Sequence, residues 1–276
     1  MKLKNISLLS VLLLSINFTA TAGPIILSGT DADDHGSASG GANLSGWLFM
    51  QRVLENLSTA ASLTNGHLNV VNLGSSSSAL NAATSAFNLS SLVGNGWSFT
   101  NIDTDAAIAD YFAGNGAVNI NNTGIMMMDS GQHVSGGSSA SERALFSTNA
   151  TIIDNFLGLG GGLFSQANGY AWVNTLLPTL SIVSGGGNGA NLTAAGTAAF
   201  PGLSNADLTG GPRHNRFANV GGLSVFATDN SGVAVIIGTS GGSILNPGIT
   251  VPEPSTLAIF ALGIMGLASR RFKKLF

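Results

Sequence analysis

Gly124-Ile125-Met126-Met127-Met128-Asp129 decides the fold: four apolar residues in a row, with a glycine before them and an aspartate after. A half-exposed strand would alternate apolar and polar residues. An unbroken short run fits a strand buried on both faces, as in a parallel sheet covered by helices. Working outward, strands and helices alternate. Upstream, residues 24–28, 68–73 and 97–102 read as strands. Between the first two, Leu44, Trp47, Leu48, Met50, Gln51, Val53, Leu54 and Leu57 follow the i, i+3, i+4 spacing of a helix face. The serines at 75–78 offer N-caps to a helix running through Leu92, and Asp103-Thr104 cap another that reaches Phe112. Downstream, Ser139 and Glu142 have capping-box spacing and open a helix through Phe146, Ile152-Ile153 and Phe156-Leu157. Gly160, Gly161 and Gly162 end it and lead into the strand Leu163-Phe164-Ser165. Beyond Leu180 strands outnumber helices, at 180–183, 223–228 and 233–239. The pattern predicts an α/β domain over residues 23–240: a doubly wound, mostly parallel sheet with flanking helices. An all-β or solenoid body, suggested by the Gly, Asn and Ser content, is opposed by the helical spacing of the first 160 residues.

Charge is unevenly placed along the 276 residues. Lys2 and Lys4 open the chain, and Arg270, Arg271, Lys273 and Lys274 close it. The body between residues 23 and 251 keeps only Arg52, Arg143, Arg213 and Arg216 against twelve acids, four minus twelve giving −8. A body without lysine cannot lay a cationic track along a phosphate backbone, which argues against nucleic-acid partners. There is no cysteine, so disulfides, thiolate metal sites and cysteine nucleophiles are all excluded.

Both ends read as addresses. Residues 1–22 form a signal peptide: a basic start, an apolar stretch over 6–18, and Ala20-Thr21-Ala22 as the A-x-A site for signal peptidase. After a linker at 241–251, Pro252-Glu253-Pro254 presents a glutamate on an extended segment. An uncharged apolar stretch at 256–269 and a basic end follow. As a helix, 256–269 spans about 21 Å, shorter than the ~30 Å hydrocarbon core. The basic cluster would stay on the cytoplasmic side and leave the body outside. In this order the three parts resemble the PEP-CTERM sorting signal. The resemblance implies recognition by an exosortase, a transient transmembrane helix, and cutting near Pro252, Glu253 and Pro254. It also implies a Gram-negative cell that makes an extracellular polysaccharide matrix, at whose surface or within which the body would reside.

The body itself is similar to the class I glutamine amidotransferase-like group, including its ThuA-like branch. The residues that carry this are 124–129, the long helix after them, and Gly160-Gly161-Gly162-Leu163-Phe164-Ser165-Gln166-Ala167-Asn168-Gly169. In that group the turn bears a catalytic cysteine, followed later by His and Glu. Here Ser165 to Asn168 occupy the turn and His214 is followed by Asn215 and Arg216. The resemblance therefore implies the fold without amidotransferase activity.

In an open parallel sheet, ligands bind beyond the carboxyl ends of the strands. Four segments fall there. Asp31, Asp33 and Asp34 beside His35 offer a carboxylate cluster for a divalent cation, with the histidine favouring a transition metal. A solvated loop with an aspartate capping the next helix is the plainer reading. Asp129 and His133 have the types of an orienting acid and a base, although an aspartate at a strand end commonly ties down backbone N–H groups. Ser165 with His214 has the order of a hydrolase pair without the tight Gly-x-Ser-x-Gly elbow. Gln166, Asn168, Arg213 and Arg216 are ligand-binding candidates; the arginines could receive a carboxylate, a phosphate or an acidic sugar, or pair with acids of the body. His67 opens a strand and reads as structural. The expectation is an exported surface or matrix protein with a non-catalytic structural or ligand-binding body and no required cofactor. The alternative is a secreted hydrolase or metal-dependent enzyme acting at the strand-end rim, and the two differ in whether Asp31, Asp33, His35, His133 and His214 converge or scatter.

Overall fold

The computed structural model describes residues 22–239 apart from 168, 211 and 212. The expected linker and sorting tail, most of the signal peptide, and Asn168 lie outside these residues. Among the described residues no helix is long and apolar enough to cross a membrane, and the helix expected at 256–269 is not among them.

The strands are β1 (Ile25–Ser28), β2 (Gly36–Ser39), β3 (Ala42–Ser45), β4 (Asn69–Leu73), β5 (Ser98–Ile102) and β6 (Ile125–Met128). They continue with β7 (Gly162–Ser165), β8 (Ser181–Ser184), β9 (Asn191–Leu192), β10 (Asn215–Asn219), β11 (Ser224–Thr228) and β12 (Ala234–Gly238). Five pair in parallel, in the order β5-β4-β6-β7-β1. β12 adds antiparallel to β1, and β11 and then β9 follow antiparallel beyond it. The result is a mixed α/β fold with a mostly parallel central sheet and flanking helices.

The pleat explains the apolar runs. Met126 and Met128 enter one core with Ile25, Leu27, Val71 and Leu163, while Met127 enters the other with Ile26, Val70, Ile125 and Phe164. The helices Asp105–Phe112, Ala140–Thr148 and Ala150–Gly158 cover the first face, and Gly46–Ser58 and Ser77–Asn88 the second. Each buried Leu, Ile, Met or Phe contributes roughly 1.5–3 kcal/mol by leaving water.

Local signals hold in most places. Both halves of the Ser139–Glu142 capping box form, and the Thr104 hydroxyl accepts the Ala107 N–H. Ser76 stands at the N-cap of its helix without a side-chain cap bond. That helix stops at Asn88 rather than Leu92, and a separate turn covers Ser91–Gly94. The single helix expected beyond Ser139 is two, Ala140–Thr148 and Ala150–Gly158. The break falls at Asn149, whose amide donates back to the Leu145 carbonyl at 2.9 Å. An unexpected hairpin, β2–β3, turns at Gly40-Gly41, both with positive φ as a tight two-residue turn requires.

Two features place the rim. Beyond the end of β1, β10 takes over the same edge of β12, pairing Phe217 with Ala234, and carries β8. The backbone N–H groups of His214 and Asn215 both donate to the Gly29 carbonyl, at 2.8 and 3.1 Å. A Cβ at residue 29 would lie 1.9 Å from the Asn215 carbonyl oxygen, so only glycine fits there. The chain also reverses direction across the sheet between β4 and β6, where a crevice would be expected. The loop after β6 fills it: Ser76 N–H donates to the Gly136 carbonyl at 2.8 Å and Ala79 N–H to Ser135 at 3.2 Å.

Candidate functional site

The loop after β1 carries Asp31, Asp33, Asp34 and His35 and is held from several sides. The Asp33 N–H donates to Gln166 Oε1 at 3.1 Å, and the Trp47 indole N–H donates to the Asp33 carbonyl at 2.9 Å. Gln166 therefore fixes this loop through its carbonyl oxygen. In this loop, the buried Asp31 and the half-buried Asp34 and His35 bring one ligating atom each within 4.8 Å of the others. His35 Nε2 lies 3.6 Å from Asp31 Oδ2 and 3.9 Å from Asp34 Oδ2. His214, delivered by the start of β10, places its Nε2 3.0 Å from the same Asp31 Oδ2. His133, from the loop after β6, places Nε2 3.5 Å from Asp34 Oδ1. Five side chains from three separated segments thus converge.

They do not play equal parts. The Ser135 N–H donates to His133 Nδ1 at 2.9 Å, so a neutral His133 carries its proton on Nε2, aimed at Asp34. His133 thus stands beside Asp34 at ion-pair distance. The Nε2 atom of His35 is buried without a hydrogen bond, as is Asp31 Oδ1. Burial raises the Asp31 carboxyl above its ordinary range, against the opposing pull of His214 and His35.

Asp33 and Asp129 meet beneath this cluster, 1% and 0% exposed. All four oxygens of the pair are buried without a hydrogen-bond partner among the described residues, so two bare carboxylates are disfavoured there and bound protons favoured. Burial, then the negative charge of Asp129, holds Asp33 well above the carboxylate range. Burial pushes Asp129 up to about 7, against the opposing pull of the neighbouring Asp33, Ser75 and Ser130 backbone. Asp129 and His133 do not pair with each other; each instead faces an aspartate of the first loop.

The remaining candidates fall elsewhere. Ser165 is fully buried and its hydroxyl donates to the Gln166 carbonyl at 3.3 Å, while the His214 ring is engaged with Asp31. Arg213 and Arg216 turn away from the cluster to Asp229, at 3.6 and 3.3 Å. Arg213 also donates to the Asn188 and Gly189 carbonyls. Asp229 was not singled out in the sequence, where Asp229-Asn230-Ser231-Gly232 looks like an ordinary turn. It is one, with Asp229 Oδ1 accepting from Ser231 N, Ser231 Oγ and Val233 N. These bonds, the Ser231 hydroxyl foremost, hold Asp229 far below the usual carboxylate range. Trp47, whose spacing marks it only as part of a helix face, also serves the site through its indole, and the Tyr170 hydroxyl ties the ends of β1 and β7 by donating to the Ser28 and Ser165 carbonyls.

Residues 250–274 match the PEP-CTERM protein-sorting motif. That motif marks an exported, cell-surface-directed protein processed by an exosortase. No curated protein and no solved structure matches the chain, and the amidotransferase-like resemblance of the body has no support from either.

Proposed function

We propose that this exported protein holds a divalent transition-metal ion at the strand-end rim, with Asp31, Asp34, His35 and His214 as ligands and His133 fixing Asp34. One observation carries the reading: two imidazole Nε2 atoms approach one oxygen of the buried Asp31 carboxylate at 3.0 and 3.6 Å, and an Asp34 oxygen lies 3.9 Å from one of them. Ligands bonded to one ion at about 2.0–2.2 Å stand roughly 3–3.5 Å apart, close to this spacing. A mixed imidazole and carboxylate set without thiolate suits Zn²⁺, Mn²⁺ or Fe²⁺ better than Ca²⁺. A cation would also offset the burial of Asp31 and give His35 Nε2 the partner it lacks. To test this, the purified full chain is stripped with chelator and titrated with Zn²⁺ and Mn²⁺ by calorimetry. One saturable site, lost in Asp31→Asn, supports the proposal; no saturable binding, or equal binding by the variant, refutes it.

A second reading, metal-assisted hydrolysis, is favoured by the buried Asp33–Asp129 pair beside the cluster, because strongly shifted carboxyls gather at reactive sites. It requires turnover of a scissile substrate that stops when the metal is removed. For the ends, we propose cleavage after Ala22, a short helix at 256–269 that holds the precursor in the inner membrane of a Gram-negative cell, and release near Pro252-Glu253-Pro254 into a polysaccharide matrix. Glu253→Ala should keep the protein in the membrane fraction, and unchanged release would refute the sorting step.

A further inference from the structure

At the opposite end of the sheet, where β4 and β6 begin, a cavity of about 410 Å³ opens between the 3-10 turn Ile120–Asn122 and the helix Ala150–Gly158. We infer that it is a binding site for a neutral, hydroxyl-rich ligand, a short sugar chain.

The wall is built before any ligand arrives. The Asn65 amide donates to the Thr123 carbonyl at 2.7 Å and its oxygen accepts the His67 N–H at 3.3 Å. The Thr123 hydroxyl donates to the Asn119 carbonyl and accepts from the buried Tyr111 hydroxyl. Residue 124 must be glycine, since a Cβ there would lie 2.3 Å from the His67 carbonyl oxygen. Three lining side chains keep their hydrogen-bonding capacity open: the amides of Asn121 and Asn155 and the ring of His67 make no hydrogen bond or ion pair among the described residues. Each amide offers two donors and an acceptor.

The chemistry of the lining selects the ligand. No Asp, Glu, Lys or Arg lines the cavity, so an ionic ligand would lose water without gaining a counter-charge. A purely apolar ligand would cover the amides and leave them unpaired. What remains is a ligand with hydroxyl edges for the amides and C–H faces for Ile152, Phe156 and Leu159. Leu159 is 74% exposed and has little other packing to account for its position. β4 and β6 are interior strands, so no free strand edge there pairs with a peptide backbone. The volume lies in the range of small-ligand sites.

The test uses the full chain and calorimetric titration with neutral di- and trisaccharides of glucose, galactose and N-acetylglucosamine. Trialanine and adenosine serve as contrasting probes. Saturable binding of at least one sugar is expected, weakened about tenfold or more in both Asn121→Ala and Asn155→Ala, with Zn²⁺ binding unchanged. Both positions are exposed, and unchanged melting temperatures establish that the variants are folded. No saturable sugar binding, sugar binding that survives both substitutions, or stronger binding of trialanine or adenosine would overturn the assignment. Because the rim is read by metal and this cavity by sugar, either proposal can fail alone.

Discussion

The five parallel strands carry polar groups at both ends, and the two ends obey different physics. At the carboxyl end, imidazole–carboxylate contacts of 3.0–3.9 Å gather at the buried Asp31 and its neighbour Asp34, and Asp33 and Asp129 are buried beneath. At the amino end, uncharged amides share a cavity with apolar side chains. Crowded like charges are unstable alone and call for a proton or a cation, whereas amides are content in water and select by shape. The rim should therefore respond to metal, and the cavity should not.

The largest effect is expected from Asp31→Asn, which removes the oxygen that both His35 and His214 approach. Zn²⁺ affinity should fall at least ~100-fold, about 2.8 kcal/mol, and the stabilisation of the fold by saturating metal should disappear with it. Survival of tight binding would erase the contrast between the ends. Next comes His133→Ala, which leaves the ligands but frees Asp34; a loss of roughly 10–100-fold in metal affinity is expected, at unchanged stoichiometry.

The third prediction concerns pH in the chelator-treated protein. The folded state retains protons on Asp33 and Asp129 that the unfolded chain releases near pH 3.9. Stability should therefore fall as pH rises from about 4 through about 7. Asp129→Asn should flatten that decline and stabilise the metal-free protein at pH 8, on the order of 1 kcal/mol. Denaturant melts at pH 5 and pH 8 measure it, and an unaltered slope would mean that the pair does not hold its protons. The smallest effect is expected at the other end: Asn155→Ala should change stability by less than about 0.5 kcal/mol and leave metal affinity and pH response alone.

What could be read from the sequence follows from range. Met126-Met127-Met128 announced a doubly covered strand because pleat and burial act residue by residue, and the Ser139–Glu142 cap acts over one helical turn. The candidates Asp31, Asp34, His35, His133 and His214 were visible because strand ends in a parallel sheet share one rim. Their partners were not. The rotation of Asp129 toward Asp33 depends on the packing of two loops, and the Arg213 and Arg216 contacts depend on a turn at Asp229 whose composition is ordinary. The β2–β3 hairpin carries no apolar alternation to betray it. His67 read as a structural residue because the cavity beside it exists only once residues 120–123 and 150–159 reach the same end.

The tie between β10 and Gly29 has a consequence in time. Asp31 and His214 are 183 residues apart, and the hydrogen bonds of His214 and Asn215 to Gly29 bring them together. A contact of such separation is entropically late in folding. An exported chain that crosses a membrane amino end first would present its acidic loop outside well before the last histidine follows. The four-residue cluster could then close only on a chain that has been translocated nearly whole, making its completion a record that export ran to the end.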